Sequence, residues 1–248
     1  MEAELPRVER AIGAHAFIVT VCVTIGVLFA FLSLDFLLAR IDRAETATHA
    51  ERLFEEGSRL LAGNHAEDAI DRFGSAHAMA RDSVRYSVAL STALLANRRV
   101  QSAEDALTPL LLTHGSDATI NLAMARVMLA EQKPIEAISF YHRAIYGEWP
   151  AGAARQQDAV RFELIDLLAQ RGDKSALLSE LLTVDVTEAT RETRLRLAKL
   201  FLLAGSPQRS IDVYRAFLRK KPRDIEALVG LQESEIALSR ARALPAVP

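Results

Sequence analysis

The segments "GSRLLAGNHAEDAIDRFGSAHAM" (residues 57–79) and "ARVMLAEQKPIEAISFYHRAIYG" (125–147) align without gaps at a spacing of 68 residues, twice 34. Gly57 falls on Ala125, Leu60 on Met128, Ala69 on Ala137, Phe73 on Tyr141 and Ala76 on Ala144. The stretch between them, "SVALSTALLANRRVQSAEDALTPLLLTHGSD", fills the same slots with Ser91, Leu94, Ala103, Leu107 and Leu110. Residues 193–224 fill them again with Ala198, Phe201, Ser210, Tyr214 and Phe217, and Pro222 closes the unit. A recurring period of this length constrains the fold strongly. Each unit is too small to bury its own apolar face, so units must stack and share one continuous core. Leu and Ala dominate while Gly and Pro are sparse, so the units are helical.

A 34-residue period of two amphipathic helices, with small residues where they cross, resembles the tetratricopeptide repeat. The shared frame carries the resemblance, since the motif is weak in any one unit. The units read 50–83, 84–117, 118–151, 158–190 and 191–224, with an extra stretch at 152–157 and a final covering helix at 225–242. The fourth unit diverges most, with Ile165 and Leu177 where small residues are expected. The resemblance covers about 50–242 and implies an all-α, right-handed solenoid of helical hairpins.

Within this frame "EAISFYHRAIYGEWP" (136–150) is the second helix of the third unit. Pro134 suits its start, and Ala137, Tyr141 and Ala144 share one buried face. Trp149 either covers the irregular connection at 152–157 or stands exposed for a partner. His142 lies beside the buried face without a carboxylate or serine placed next to it, and reads as non-catalytic. Pro109, inside the second helix of the second unit, either bends that helix or marks it as short. Asp68 and Arg72 stand four apart, the spacing of a weak helical ion pair.

Ahead of the repeats, residues 16–34, "AFIVTVCVTIGVLFAFLSL", form 19 uncharged positions between His15 and Asp35. At a rise of about 1.5 Å per residue they nearly match a hydrocarbon core about 30 Å thick. The run is too long, and "MEAELPRVER" too acidic, for a cleaved signal peptide. The expected organisation is a tail (1–10), a transmembrane anchor (11–39), a linker (40–49), the solenoid and a short tail (243–248). Cys22, Gly26 and Ala30 recur every four residues, a spacing at which two such helices approach closely as a homodimer. Arg40, Arg43 and Arg52 follow the run while Arg7 and Arg10 precede it, so charge counting leans slightly against export. The short leading tail, a resemblance to membrane-anchored bacterial envelope proteins, points the other way. The expectation is a single-pass inner-membrane protein with a periplasm-facing solenoid.

Thirty Lys and Arg are balanced by 32 Asp and Glu, which gives no basic surface for nucleic acid. One cysteine allows neither an internal disulfide nor a thiolate metal site. The sequence carries no phosphate loop, zinc-protease or nucleophile-elbow motif and no histidine pair spaced for a metal, so no enzymatic activity and no cofactor are expected. The family resemblance implies instead that the first helices of successive repeats line a groove for a protein or peptide. Mapped here, that groove takes Phe54 and Ser58; Arg85, Val88, Thr92 and Leu95; Leu122, Arg126 and Leu129; Phe162 and Asp166; and Leu195, Lys199 and Leu202. Mostly apolar with scattered charge, it suits an amphipathic helix or extended peptide; the alternative is that these residues serve packing within the chain itself. The carboxylate clamp of some family members is not matched: Phe54, Ser58, Ala89, Thr119 and Ala123 occupy its positions. The expected function is a membrane-tethered interaction scaffold or assembly factor. The alternative is a structural subunit packed permanently in a larger envelope complex.

Overall fold

The computed structural model describes the backbone of residues 5–185 and 189–243 and, within these, side chains from residue 28 onward. The described residues are almost entirely α-helical, and they fall into two compact units, Met1–Arg99 and Val100–Pro248.

The first unit holds α1 (Leu5–Ala62), α2 (Ala66–Met79) and α3 (Val84–Ala96). α1 runs unbroken through residues 40–49, which were expected to form a linker. "RIDRAETATH" contains neither Gly nor Pro, so nothing there stops a helix. α1 ends at Gly63 and Asn64, where the Asn64 backbone turns left-handed at φ 68°. α1 and α2 then fold back on each other. Gly57 makes this possible, because a Cβ there would lie 2.8 Å from the Phe73 ring. The Phe54 ring packs 5.6 Å from both Phe73 and Tyr86. Arg72 reaches Glu56 across the hairpin at 3.6 Å, rather than the expected Asp68. The long side chain points back toward α1, and the neighbouring turn of its own helix is passed over. Among the described residues no helix is long and apolar enough to cross a membrane. Positions 16–27 of the uncharged run lie outside the described side chains.

The second unit holds α4 (Val100–Thr113), α5 (Ala118–Ala130), α6 (Pro134–Tyr146), α7 (Ala154–Arg171), α8 (Lys174–Leu181), α9 (Arg191–Leu203), α10 (Pro207–Leu218) and α11 (Ile225–Ala243). Local chemistry starts them. Asp117 accepts from the backbone N–H groups of Thr119 and Ile120, Asp173 from Ala176, and Thr190 from Thr193. Pro134 and Pro207 occupy first turns. α4 neither shortens nor breaks at Pro109, which is exposed together with Asp105, so the carbonyl that loses its donor faces water.

Left-handed turns recur at Asn64, Arg98, Gln132, Gly172 and Gly205, close to the repeat spacing. Gly172 and Gly205 adopt that conformation without a Cβ penalty. One core runs through Tyr141, Leu164, Ile165, Leu168, Leu177, Leu181 and Leu197. Ile165 and Leu177, bulky in small-residue slots, are fully inside it. Trp149 is half-buried against the same core and donates its indole N–H to the Ala144 carbonyl at 2.8 Å, so its ring is turned toward the core rather than held out for a partner. Gly147 is squeezed between the carbonyls of Arg143 and Ser116, and a Cβ there would meet them at 2.6 and 2.7 Å. α11 buries Ala227, Gly230 and Ser234, and the hydroxyls of Ser210 and Ser234 meet at 2.8 Å.

Candidate partner-binding face

The residues expected to line a groove project from α1 and α3 in the first unit and from α5, α7 and α9 in the second. Arg85 and Thr92 are exposed, while Phe54, Ser58, Val88 and Leu95 are half-buried. In the second unit Arg126 and Lys199 are exposed, and Leu122, Leu129, Phe162, Asp166 and Leu202 are half-buried. Leu195 departs from expectation. It is 3% exposed and packs with Ala198, Tyr214 and Phe217 because α11 closes over it.

The charged members of this set are already partnered, each with a neighbouring helix. Arg85 bonds Glu51 at 2.7 Å and lies over the Phe54 ring at 3.9 Å. Arg126 makes a two-pronged contact with Glu163, at 2.6 Å from Nη2 to Oε1 and 3.2 Å from Nε to Oε2. Asp166 takes Arg196, whose guanidinium also lies over Phe162. Lys199 donates to Glu226 at 2.8 Å, and Arg191 reaches both Asp224 and Glu226. Arg126 is therefore not a free charge held out to a partner. It joins α5 to α7.

Buried tyrosines anchor two of these pairs from below. The Tyr86 hydroxyl donates to Glu51 at 3.3 Å, and the Tyr141 hydroxyl to Glu163 at 3.0 Å. Burial, then the neighbouring carboxylate, pushes both phenols above their ordinary range. At the far end, the hydrogen bond from Arg191 holds Asp224 below its usual range. Lys199, then Arg191, does the same for Glu226.

Between the pairs of the second unit lie the apolar side chains Leu122, Leu129, Phe162 and Leu200. A cavity of about 380 Å³ opens beside α9, lined by Leu195, Leu200 and Leu203 and rimmed by Arg191, Glu192, Arg196, Lys199 and Glu226. Leu203 is 50% exposed. A second cleft of about 310 Å³ lies beside α8, which is only 8 residues long and leaves α10 partly uncovered. Leu181, Leu182, Val184, Phe201 and Val213 line it. The divergence of the fourth repeat was its only trace in the sequence.

The structure also supplies the carboxylate that His142 lacked in the sequence reading. Glu180, 6% exposed, sits 3.7 Å from its Nδ1 and is clamped by Arg161 at 3.1 Å. Arg161 also donates to Thr183, which completes a structural clamp at the end of α8. His77 Nδ1 lies 3.0 Å from the Ser87 hydroxyl, but Ser87 is fully buried and no substrate reaches it. Among the described residues no cluster of His, Cys, Asp or Glu is placed to hold a metal ion.

No family model matches the chain, and no curated protein matches it. Solved structures do. A tetratricopeptide repeat protein from Parabacteroides merdae aligns over 79% of this chain and 76% of its own, at 16% identity and a TM-score of 0.53. The MamA protein aligns over 83% of this chain and 100% of its own, at 12% identity and a TM-score of 0.52. At such identities the likeness is one of fold, and the fold is the all-α helical-hairpin solenoid of tetratricopeptide repeat proteins.

Proposed function

We propose that this chain is a non-enzymatic, membrane-tethered scaffold that holds an amphipathic helix or extended peptide of a protein partner on its first-helix face. The open, leucine-lined cavity on that face, whose basic residues Arg191, Arg196 and Lys199 are each bonded to a carboxylate, carries the reading. A partner gains there by burying apolar side chains. The uncharged run at 16–34, continuous with α1, supplies the tether to the inner membrane, and the repeats face the periplasm.

The test is affinity capture from mild detergent with the full-length chain, compared with Leu129→Arg and Leu203→Arg on the proposed face and Ser139→Arg on the exposed side of α6. The partner is lost from the first two variants and kept by the third. Loss from Ser139→Arg alone overturns the face assignment. Release of the chain from washed membranes without deletion of residues 1–40 overturns the tether.

A further inference from the structure

α1 carries an apolar stripe that its own unit leaves uncovered. Leu34, Leu37 and Ile41 are 51%, 52% and 56% exposed, and Ala44 and Thr48 are exposed as well. Their spacings of three and four residues put all five on one side of an unbroken helix. Ala50, Leu53 and Gly57, the α1 residues that pack into the repeat unit, point about half a turn away at about 3.6 residues per turn. Within the first unit the stripe is therefore free of α2 and α3.

Around Leu34 and Leu37 the helix is apolar on its other sides too, with Phe36 65% and Leu38 55% exposed, but beyond Arg40 the flanks argue against lipid as the cover. From Arg40 onward the other sides of α1 carry Arg40, Asp42, Arg43 and Glu45, all exposed. A bilayer would have to bury those charges. A second helix lying along the stripe would not.

We infer that residues 34–48 pair with the same residues of a second copy of this chain as a parallel two-stranded coiled coil. In heptad terms Leu34, Ile41 and Thr48 take the a positions, and Leu37 and Ala44 take d. This frame places Arg40 at g and Glu45 at the following e, the two positions that face each other across a parallel pair. Neither is paired within the described residues of the single chain. Two symmetric Arg40–Glu45 contacts then form, and the same arrangement in an antiparallel pair does not bring them together. The next d and a positions are Glu51 and Glu55, so the apolar seam ends where the repeats begin. Glu51 is held instead by Arg85 of its own chain.

The test uses the full chain in its native membrane, with Cys22→Ser as background and single cysteines at six sites. Oxidation yields disulfide dimers at Leu37→Cys, Ile41→Cys and Ala44→Cys, and not at Ala39→Cys, Asp42→Cys or Arg43→Cys. Arg40→Glu lowers the yield at Leu37→Cys by roughly fivefold at limiting protein, from two lost ion pairs, and adding Glu45→Arg restores it. Equal crosslinking at all six sites, none at any, or no rescue by the double exchange overturns the pairing. None of these sites lies on the leucine-lined face, so dimers that capture no partner sink the scaffold reading alone, and partner capture by a chain without periodic crosslinks sinks the pairing alone.

Discussion

Arg126→Glu separates a residue that joins repeats from one that merely faces a partner. In the structure Arg126 meets Glu163 through two nitrogens, and Glu163 also accepts the Tyr141 hydroxyl from beneath. Both side chains are more than a third exposed, 46% and 36%, so water screens the pair. Arg126→Ala is expected to cost about 0.5–1 kcal/mol, the upper range for surface pairs because the contact is two-pronged. Arg126→Glu adds a like-charge contact of similar size, for about 1.5 kcal/mol in all. In a unit of this size that lowers Tm by about 3–6 °C. Tyr141→Ala removes a ring that is 2% exposed and costs more, about 3–5 kcal/mol. The assay is thermal unfolding of the full-length chain in mild detergent, followed by circular dichroism. A double-mutant cycle of Arg126→Ala and Glu163→Ala, at low and at high salt, isolates the pair. Coupling of about 0.5–1 kcal/mol that shrinks as salt rises is the expected result. Zero coupling, or a normal Tm for Arg126→Glu with loss of partner capture, would refute the bridge and return Arg126 to the role of partner contact.

Two further outcomes follow from the first unit. Gly57→Ala places a Cβ 2.8–2.9 Å from the Phe73 ring, and overpacking of about 1–3 kcal/mol outweighs a helix-propensity gain of about 1 kcal/mol. Tm falls, and an unchanged or raised Tm shows that the ring yields instead. Burial, then Arg81, holds the His77 imidazole below its ordinary value of 6.5, so the unfolded chain takes up the proton first. The stabilising contribution is complete above about pH 6.5 and is lost as pH falls below it. His77→Gln flattens the Tm profile between pH 7 and 5, and a profile that stays as steep as wild type assigns the slope to another group.

The hairpins were legible because their signals are local and recur. Ala69, Ala103 and Ala137 stand one period apart and are each fully buried, as are Phe73, Leu107 and Tyr141. Pro134 marked the start of α6. The charge pattern of the face was not legible, because each bond spans one repeat: Glu51 to Arg85, Arg126 to Glu163, Asp166 to Arg196. A helical-wheel reading of one helix sees each of these as a free charge. Only the side-by-side placement of successive first helices brings opposite charges together. The length of α1 was missed for a related reason. A charged stretch after an apolar run reads as a boundary, yet Arg40 through Thr48 contains no helix breaker, and the helix continues into the first repeat. Glu180 beside His142 escaped because they lie on different repeats, one on α6 and the other on α8.

These pairings change what the face can recognise. A surface of free arginines and lysines selects acidic partners through steering and hot-spot contacts. Here Arg85, Arg126, Arg196 and Lys199 each already have a carboxylate within bonding distance on a neighbouring helix. An acidic ligand would have to displace that carboxylate and leave it unpaired, so its gain is largely cancelled. Under the proposed binding mode, discrimination falls to the uncharged positions between the pairs: Leu122 and Leu129 on α5, Phe162 on α7, and Leu200 and Leu203 on α9. Binding driven by those side chains responds to the apolar area a partner presents and only weakly to salt. The inter-repeat bonds weaken as salt rises. High salt should thus loosen the scaffold before it weakens the contact, the reverse of the order expected for a charge-reading groove.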